Sequence, residues 1–199
     1  MSVTPAPGAT IQDQIIAGFD WSDADLTEAV FADCVIEDAQ MSGTVLEGAR
    51  FLRCRLVRCR LARAELREAI FEDCALTDPA AHAGVGVAFS RLEQVRFTRC
   101  DLSFAQFDRS DLYDVAFDDC NLRGARIHKC DFAKSFGRRN IRSAAAFRKC
   151  NFHLADLSEA ALPGCDLAGS RFREADLSGA DLEGADLRDC DLFLSLIHI

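Results

Sequence analysis

The chain has 199 residues, is 49% hydrophobic and carries a formal net charge of −9, enough apolar content for one continuous core and an acidic balance that argues against direct nucleic-acid binding. No stretch of 18 apolar residues occurs, so no membrane-spanning helix is expected, and the opening MSVTPAPGATIQDQ lacks the basic start and apolar centre of a secretory signal, which points to the cytoplasm. The ten cysteines contain no C-x-x-C, the histidines (His82, His128, His153, His198) are scattered and no glycine-rich phosphate loop is present, so no catalytic residue, metal site or cofactor is expected and the protein reads as non-enzymatic.

In chain order, a large apolar residue recurs every five positions. The first run is Ile11, Ile16, Trp21, Leu26, Phe31, Ile36, Met41, Leu46, Phe51, Leu56, Leu61, Leu66, Phe71 and Leu76. A break follows at 77–90, TDPAAHAGVGVAFS, with Pro79, Gly84 and Gly86 as turn formers. The second run is Leu92, Phe97, Leu102, Phe107, Leu112, Phe117, Leu122, Ile127 and Phe132. The second break, 133–146, stays in frame, and its length allows two irregular sides instead of an excursion. The third run is Phe147, Phe152, Leu157, Leu162, Leu167, Phe172, Leu177, Leu182, Leu187 and Leu192. The last six residues, LSLIHI, match the translation of a transposon adapter used in DNA sequencing; 194–199 are expected to be an artefact, with the natural chain continuing past residue 193.

Five fits neither the 3.6-residue helix nor the two-residue strand. Of the 33 residues two places before a centre, 29 are Ala, Cys, Ser or Thr, so a small residue shares the interior with each large one. Phenylalanines also recur every 20 residues, at Phe31, Phe51 and Phe71 and at Phe132, Phe152 and Phe172. Four units then make one turn of a square coil, and coils stack as parallel strands roughly 4.8 Å apart. The expected architecture is all-β: a single quadrilateral parallel β-helix over 1–193 with all 33 centres buried. The ten cysteines all occupy the small inward position, with Cys130 aligned to Cys150 by the 20-residue period. They read as small buried residues in place of alanine, reduced and unbridged.

The pattern A-(D/N)-L-x-x, as in Ala155-Asp156-Leu157, resembles the pentapeptide-repeat family over about residues 9–193. That resemblance implies a right-handed coil. The segments AFSRLEQVRFTRCDLSFAQF and CDFAKSFGRRNIRSAAAFRKCNFHLADLS are similar to those of the family's quinolone-resistance subfamily. The subfamily implies a DNA mimic that binds DNA gyrase or topoisomerase IV, protects it from quinolones and forms a homodimer through a C-terminal element not seen here. The two loops then become the candidate partner-binding regions, with Asp78, Pro79 and His82 in the first and Lys134, Arg138, Arg139 and Arg142 in the second. The alternative is a generic interaction scaffold with an unrelated protein partner.

Charge separates the two readings. Residues 1–49 hold nine acids and no Lys or Arg, whereas 50–149 hold 13 acids and 20 bases. Acids on one contiguous face beside both loops favour the mimic; acids spread over four faces favour the scaffold. Arg53 is expected to sit between Asp33 and Asp73, each 20 residues away.

Overall fold

The five-residue frame becomes four flat walls. A computed structural model of the protein describes residues 5–135, 141–143 and 145–196. Among the described residues there is no helix; short strands and single bridges pair in parallel from coil to coil. Face 1 climbs through Ile11, Phe31, Phe51, Phe71, Phe97, Phe117 and Phe147 towards Leu187. Face 2 starts at Ile16 and Ile36 and passes Leu76, Leu102 and Phe152 to Leu192. Face 3 carries Trp21, Met41, Leu61, Val87, Phe107, Ile127, Leu157 and Leu177. Face 4 carries Leu26, Leu46, Leu66, Leu92, Leu112 and Phe132, and continues with Leu162 and Leu182.

The core is a stack of like on like. Phe31, Phe51, Phe71, Phe97, Phe117 and Phe147 form one column with ring centroids 4.9, 4.7, 4.8, 4.7 and 4.8 Å apart, and these separations measure the rise per coil. Every predicted centre is buried except Leu182, Leu187 and Leu192. These three are half-buried, because the last levels described have a coil on one side only.

Local chemistry explains the rest of the pattern. The aspartate before a centre accepts a hydrogen bond from the backbone N–H two residues on, as Asp25 does from Thr27 (3.0 Å), Asp111 from Tyr113 (3.0 Å) and Asp181 from Glu183 (3.0 Å). This turn is the physical reason for the D in A-D-L. The residue two past the centre lies at positive φ, for example Asp33 (54°), Arg53 (52°) and Gly43 (71°). Each corner therefore passes through the left-handed region that most side chains avoid.

Corners come in two kinds, and the cysteines mark one of them. At Leu26–Ala29 the small residue's N–H donates to the carbonyl of the preceding centre (3.0 Å). At 51–54, 61–64 and 147–150 that bond is absent, and a side chain from the next coil bridges the two groups. The Cys54 N–H donates to Cys74 Sγ (3.3 Å), whose S–H donates to Phe51 O (3.2 Å). Ser90 Oγ takes the Ala64 N–H (3.0 Å) and donates to Leu61 O (2.6 Å); Ser170 Oγ takes the Cys150 N–H (2.9 Å) and donates to Phe147 O (2.7 Å). Eight cysteines sit at corners that lack the backbone bond, those of Cys54 and Cys150 having the full bridge, and Cys165 and Cys190 sit at the first kind. Cys34, Cys54, Cys74, Cys100, Cys120 and Cys150 make one continuous column between faces 1 and 2, each donating to the carbonyl of a face 1 centre one coil back. The cysteines thus serve as hydrogen-bonding residues, beyond the alanine substitutes that the sequence suggested. All ten are free thiols.

The breaks differ from their sequence reading. The first is shorter: Gly86–Ala88 is a wall strand paired with Arg60–Ala62 and Gln106–Asp108, with Val87 as its buried centre. What leaves the wall is an antiparallel pair, Thr77–Asp78 with Ala83–Gly84. The second break also leaves the wall as an antiparallel pair, Ala133–Ser135 with Ile141–Ser143, and does not supply two irregular sides. Phe147 therefore stacks on Phe117, Cys150 follows Cys120, and Phe132 and Cys130 do not align with Phe152 and Cys150.

Phe51→Ala is expected to cost about 3–5 kcal/mol in chemical denaturation, because the emptied slot lies between two stacked rings. Cys74→Ala is expected to cost about 1 kcal/mol more than Cys74→Ser, since serine restores the bridge that alanine leaves open. Native thiol labelling is expected to be slow. The next thiol in the column pushes Cys74 and Cys100 up to about 12, and burial pushes Cys59 and Cys130 up to about 11, so little thiolate exists at neutral pH.

Candidate protein-binding surfaces

Residues beside a centre point outward, so each face carries its own charge column. Eleven acids flank the face 4 centres: Asp25, Glu28, Glu47, Glu65, Glu68, Glu93, Asp111, Asp114, Asp131, Asp181 and Glu183, against Arg67, Arg91 and, at the root of the second hairpin, Lys134. Faces 1, 2 and 3 are each within two charges of neutral. The acids themselves stand on all four faces, eleven on face 4, nine on face 1 and six each on faces 2 and 3; face 4 differs in having few bases, so net charge is segregated while the acids are not. At a rise of about 4.8 Å, face 4 spans about 34 Å from Asp25 to Asp181, close to one net negative charge per 4 Å. One strand of B-DNA carries about one charge per 3.4 Å.

The near-neutral faces are laced with cross-coil pairs. Arg53 clasps Asp33 with two contacts of 2.7 Å; Asp73, its other expected neighbour, is held instead by Arg99 (2.7 Å). Arg58 joins Asp38 (2.6 Å), and Arg126 joins Asp156 (3.2 Å). Hydrogen bonds from Arg53, Arg58 and Arg99 hold Asp33, Asp38 and Asp73 below the ordinary carboxylate range. The stability these pairs give is present above the unfolded carboxylate pKa of about 4 and is lost as pH falls below it. On face 4 the ion pairs are longer, Arg67–Glu47 at 3.7 Å and Arg91–Glu65 at 3.6 Å.

The candidate loop residues divide. Asp78 is committed to the fold: its carboxylate takes Arg58 (3.0 Å) and the N–H groups of Ala80 (3.2 Å) and Ala81 (3.3 Å). Pro79 and His82 are exposed at the hairpin tip. The His82 ring meets Phe104 edge-on at 5.7 Å. Gly84 seats the hairpin: a Cβ there would fall 2.3 Å from Ala105 N. Lys134 and Arg142 are register partners across the second hairpin; their side chains, and Arg138 and Arg139 entirely, lie outside the described residues. The first hairpin rises between faces 2 and 3, the second between faces 4 and 1. Face 4 thus borders the second hairpin only. Among the described residues no group of three or more His, Cys, Asp or Glu could hold a metal ion, and no helix is long and apolar enough to cross a membrane.

Sequence reasoning missed face 4 because the two insertions shift the columns out of a fixed 20-residue period. It missed Phe89, 56% exposed at φ 54°, because residue 89 read as part of the break.

The family model described as Pentapeptide repeats matches in 8 copies, over residues 16–48, 39–78, 89–114, 100–135 and 144–192. Among solved structures, full-length QnrB1, described as a plasmid-mediated fluoroquinolone resistance protein, superposes with a TM-score of 0.63 at 20% identity, covering 95% of this chain and 86% of that one. A trypsin-treated form of QnrB1 gives 0.62 at 21% identity, covering 94% and 84%. No curated protein matches the sequence.

Arg58→Ala is expected to release the first hairpin without unfolding the wall. Hydrogen exchange should rise at 77–84 while the main thermal transition stays within a few degrees; a large loss of the transition would show that the pair supports the core.

Proposed function

The chain belongs to the pentapeptide-repeat family, and from that premise we propose that it is a non-enzymatic binding protein whose face 4 enters the DNA-binding groove of DNA gyrase or topoisomerase IV and protects the enzyme from quinolones. The observation that carries this reading is the acid column, which has nearly the linear charge density of one phosphodiester strand. Its acids exceed what the turns require: Glu28, Glu47, Glu68, Glu93, Asp114 and Glu183 lie after the centre, where the aspartate turn makes no demand. A rigid anionic wall of that length steers towards a basic groove and meets it without reorganising. The fold likeness to QnrB1 supports the choice of partner; the identity is too low to transfer residues. The remaining candidate-loop residues, Pro79, His82, Lys134, Arg138, Arg139 and Arg142, are assigned to contacts beyond the groove.

The test is supercoiling by purified gyrase under ciprofloxacin, with and without the protein. The parent is expected to restore supercoiling, and a Glu47→Gln, Glu68→Gln, Asp131→Asn variant to require at least tenfold more protein. Deleting 78–83 joins Leu76-Thr77 to Gly84-Val85-Gly86-Val87 and restores an unbroken five-residue frame, so that variant should fold. It is expected to lose protection if the hairpin touches the enzyme. A parent without effect on gyrase or topoisomerase IV would leave the scaffold reading, with another protein as partner.

A further inference from the structure

A second surface lies on face 3, and its chemistry is opposite to that of face 4. At the third to sixth levels the outward residues include Arg60, Arg63, Arg109, Arg126 and Lys129; the one acid among them, Asp108, is held by His128 Nδ1 at 2.8 Å, and Asp38, which reaches the surface from face 2, is held by Arg58 at 2.6 Å. Arg60 and Arg63 take part in no ion pair among the described residues, whereas Arg126 pairs with Asp156 of the next coil (3.2 Å) and Arg109 with Asp108 (3.5 Å). Two adjoining hollows of about 410 and 610 Å³ share Gly86, Ala88 and Gln106, so they form one trough along the coil axis. Its floor is made of small residues, Ala62, Gly86 and Ala88. One wall is the first hairpin, through Ala83 and Gly84. At the opposite corner stands the exposed Phe89 ring, with the Arg109 guanidinium over it at 5.5 Å.

Gly86 carries the argument furthest. A Cβ built on it meets nothing within 4 Å, and it is not among the residues at positive φ. Neither packing nor backbone conformation calls for glycine in this extended strand, where glycine weakens the wall. Its physical effect is a lower floor, into which another backbone can come close. Gly84, two residues away, is the contrast, since its Cβ would collide with backbone.

We propose that this trough binds an extended acidic segment of a protein partner. Arg60 and Arg126 stand three coil rises apart in one column, about 14 Å. An extended chain covers about 13 Å in four residues, and residues i and i+4 share one side. Glutamates at that spacing reach Arg60, which is unpaired, and Arg126, whose exposed pair with Asp156 a glutamate joins or displaces, while an apolar side chain between them packs against Phe89. A long polyanion fits less well, because face 4 shares the corner marked by Phe89 and repels any duplex that overhangs it. The protein's net charge of −9 also opposes general attraction of acidic probes, so binding must be local.

The probe is a fluorescein-labelled octapeptide, Glu-Glu-Leu-Glu-Glu-Leu-Glu-Glu, followed by anisotropy at low salt with the full chain. Arg60→Glu is expected to weaken binding at least tenfold, and Arg50→Glu on face 1 less than twofold. Gly86→Leu fills the floor from an open site, so it is expected to abolish binding while the thermal transition is kept or raised. The proposal is overturned if Gly86→Leu binds like the parent with an intact transition, if Arg50→Glu weakens binding as much as Arg60→Glu, or if labelled oligothymidine of ten nucleotides binds as tightly as the peptide. Absence of peptide binding to the parent overturns it as well.

Discussion

Everything in this molecule depends on one repeat distance. Parallel backbone pairing sets each coil about 4.8 Å above the last, and that is also the distance at which flat rings stack. A coil cannot be thicker than one strand, so each interior slot must be filled by its own level and the same slot in the next. Phe on Phe satisfies this along face 1, and Leu on Leu along face 4. The square cross-section leaves no room for a second large residue per side, which is why the position two before each centre is small. At Cys74, Ser90 and Ser170 that residue also closes a corner whose backbone groups do not reach each other. Serine at Ser90 and Ser170 does the same work as cysteine at Cys74, which shows that hydrogen bonding, and not sulfur chemistry, selects the position.

The same distance organises the outside. Outward residues stand in columns at coil spacing, within reach of one another, so opposite charges in neighbouring coils pair readily. Arg53–Asp33, Arg58–Asp38 and Arg99–Asp73 show the habit on faces 1 and 2. Such exposed pairs add little stability, and their absence costs little. A face can therefore be charged with one sign without unfolding the wall, provided the core pays the repulsion. Face 4 has taken that course at most of its levels, though the Leu92 level is neutral and the Leu162 level uncharged, while the middle of face 3 has taken the opposite one.

Most of the core could be read from the sequence, because a five-residue period of large apolar residues over 33 sites has one structural solution. The surface was less legible, for a specific reason. Which residues share a column depends on the length of each insertion, and the sequence does not say which residues leave the wall. Between Leu76 and Val87 the spacing is 11, so six residues are extruded; between Phe132 and Phe147 it is 15, so ten are. Val87 is a modest centre preceded by Val85 and Gly86, so the frame seemed to resume only at Leu92. That hid the strand Gly86–Ala88, the floor it forms and the exposure of Phe89. The in-frame length of the second break likewise suggested two sides of a coil, but the Phe column shows that the wall closes directly from Phe132 to Phe147.

Extrusion as a hairpin also explains how the walls stay regular. An antiparallel pair leaves and returns at nearly one point, so the corner it interrupts still closes and the next coil lands in register. Loop length is then nearly free in stability terms, and the inserted residues answer to what lies outside the solenoid. The two hairpins stand at diagonal corners, one beside face 3 and the other beside face 4. The corner between those faces carries Arg63, Phe89, Arg109 and Lys129 in one column, directly next to the acid wall. A partner that spans this corner meets both signs of charge in a fixed order. Reversing its direction along the axis would leave the acid wall satisfied, since that wall is nearly uniform, but would misplace whatever faces the trough. For such a partner the proposed acid wall would supply attraction with little sense of direction, and the corner and the proposed trough would supply the direction.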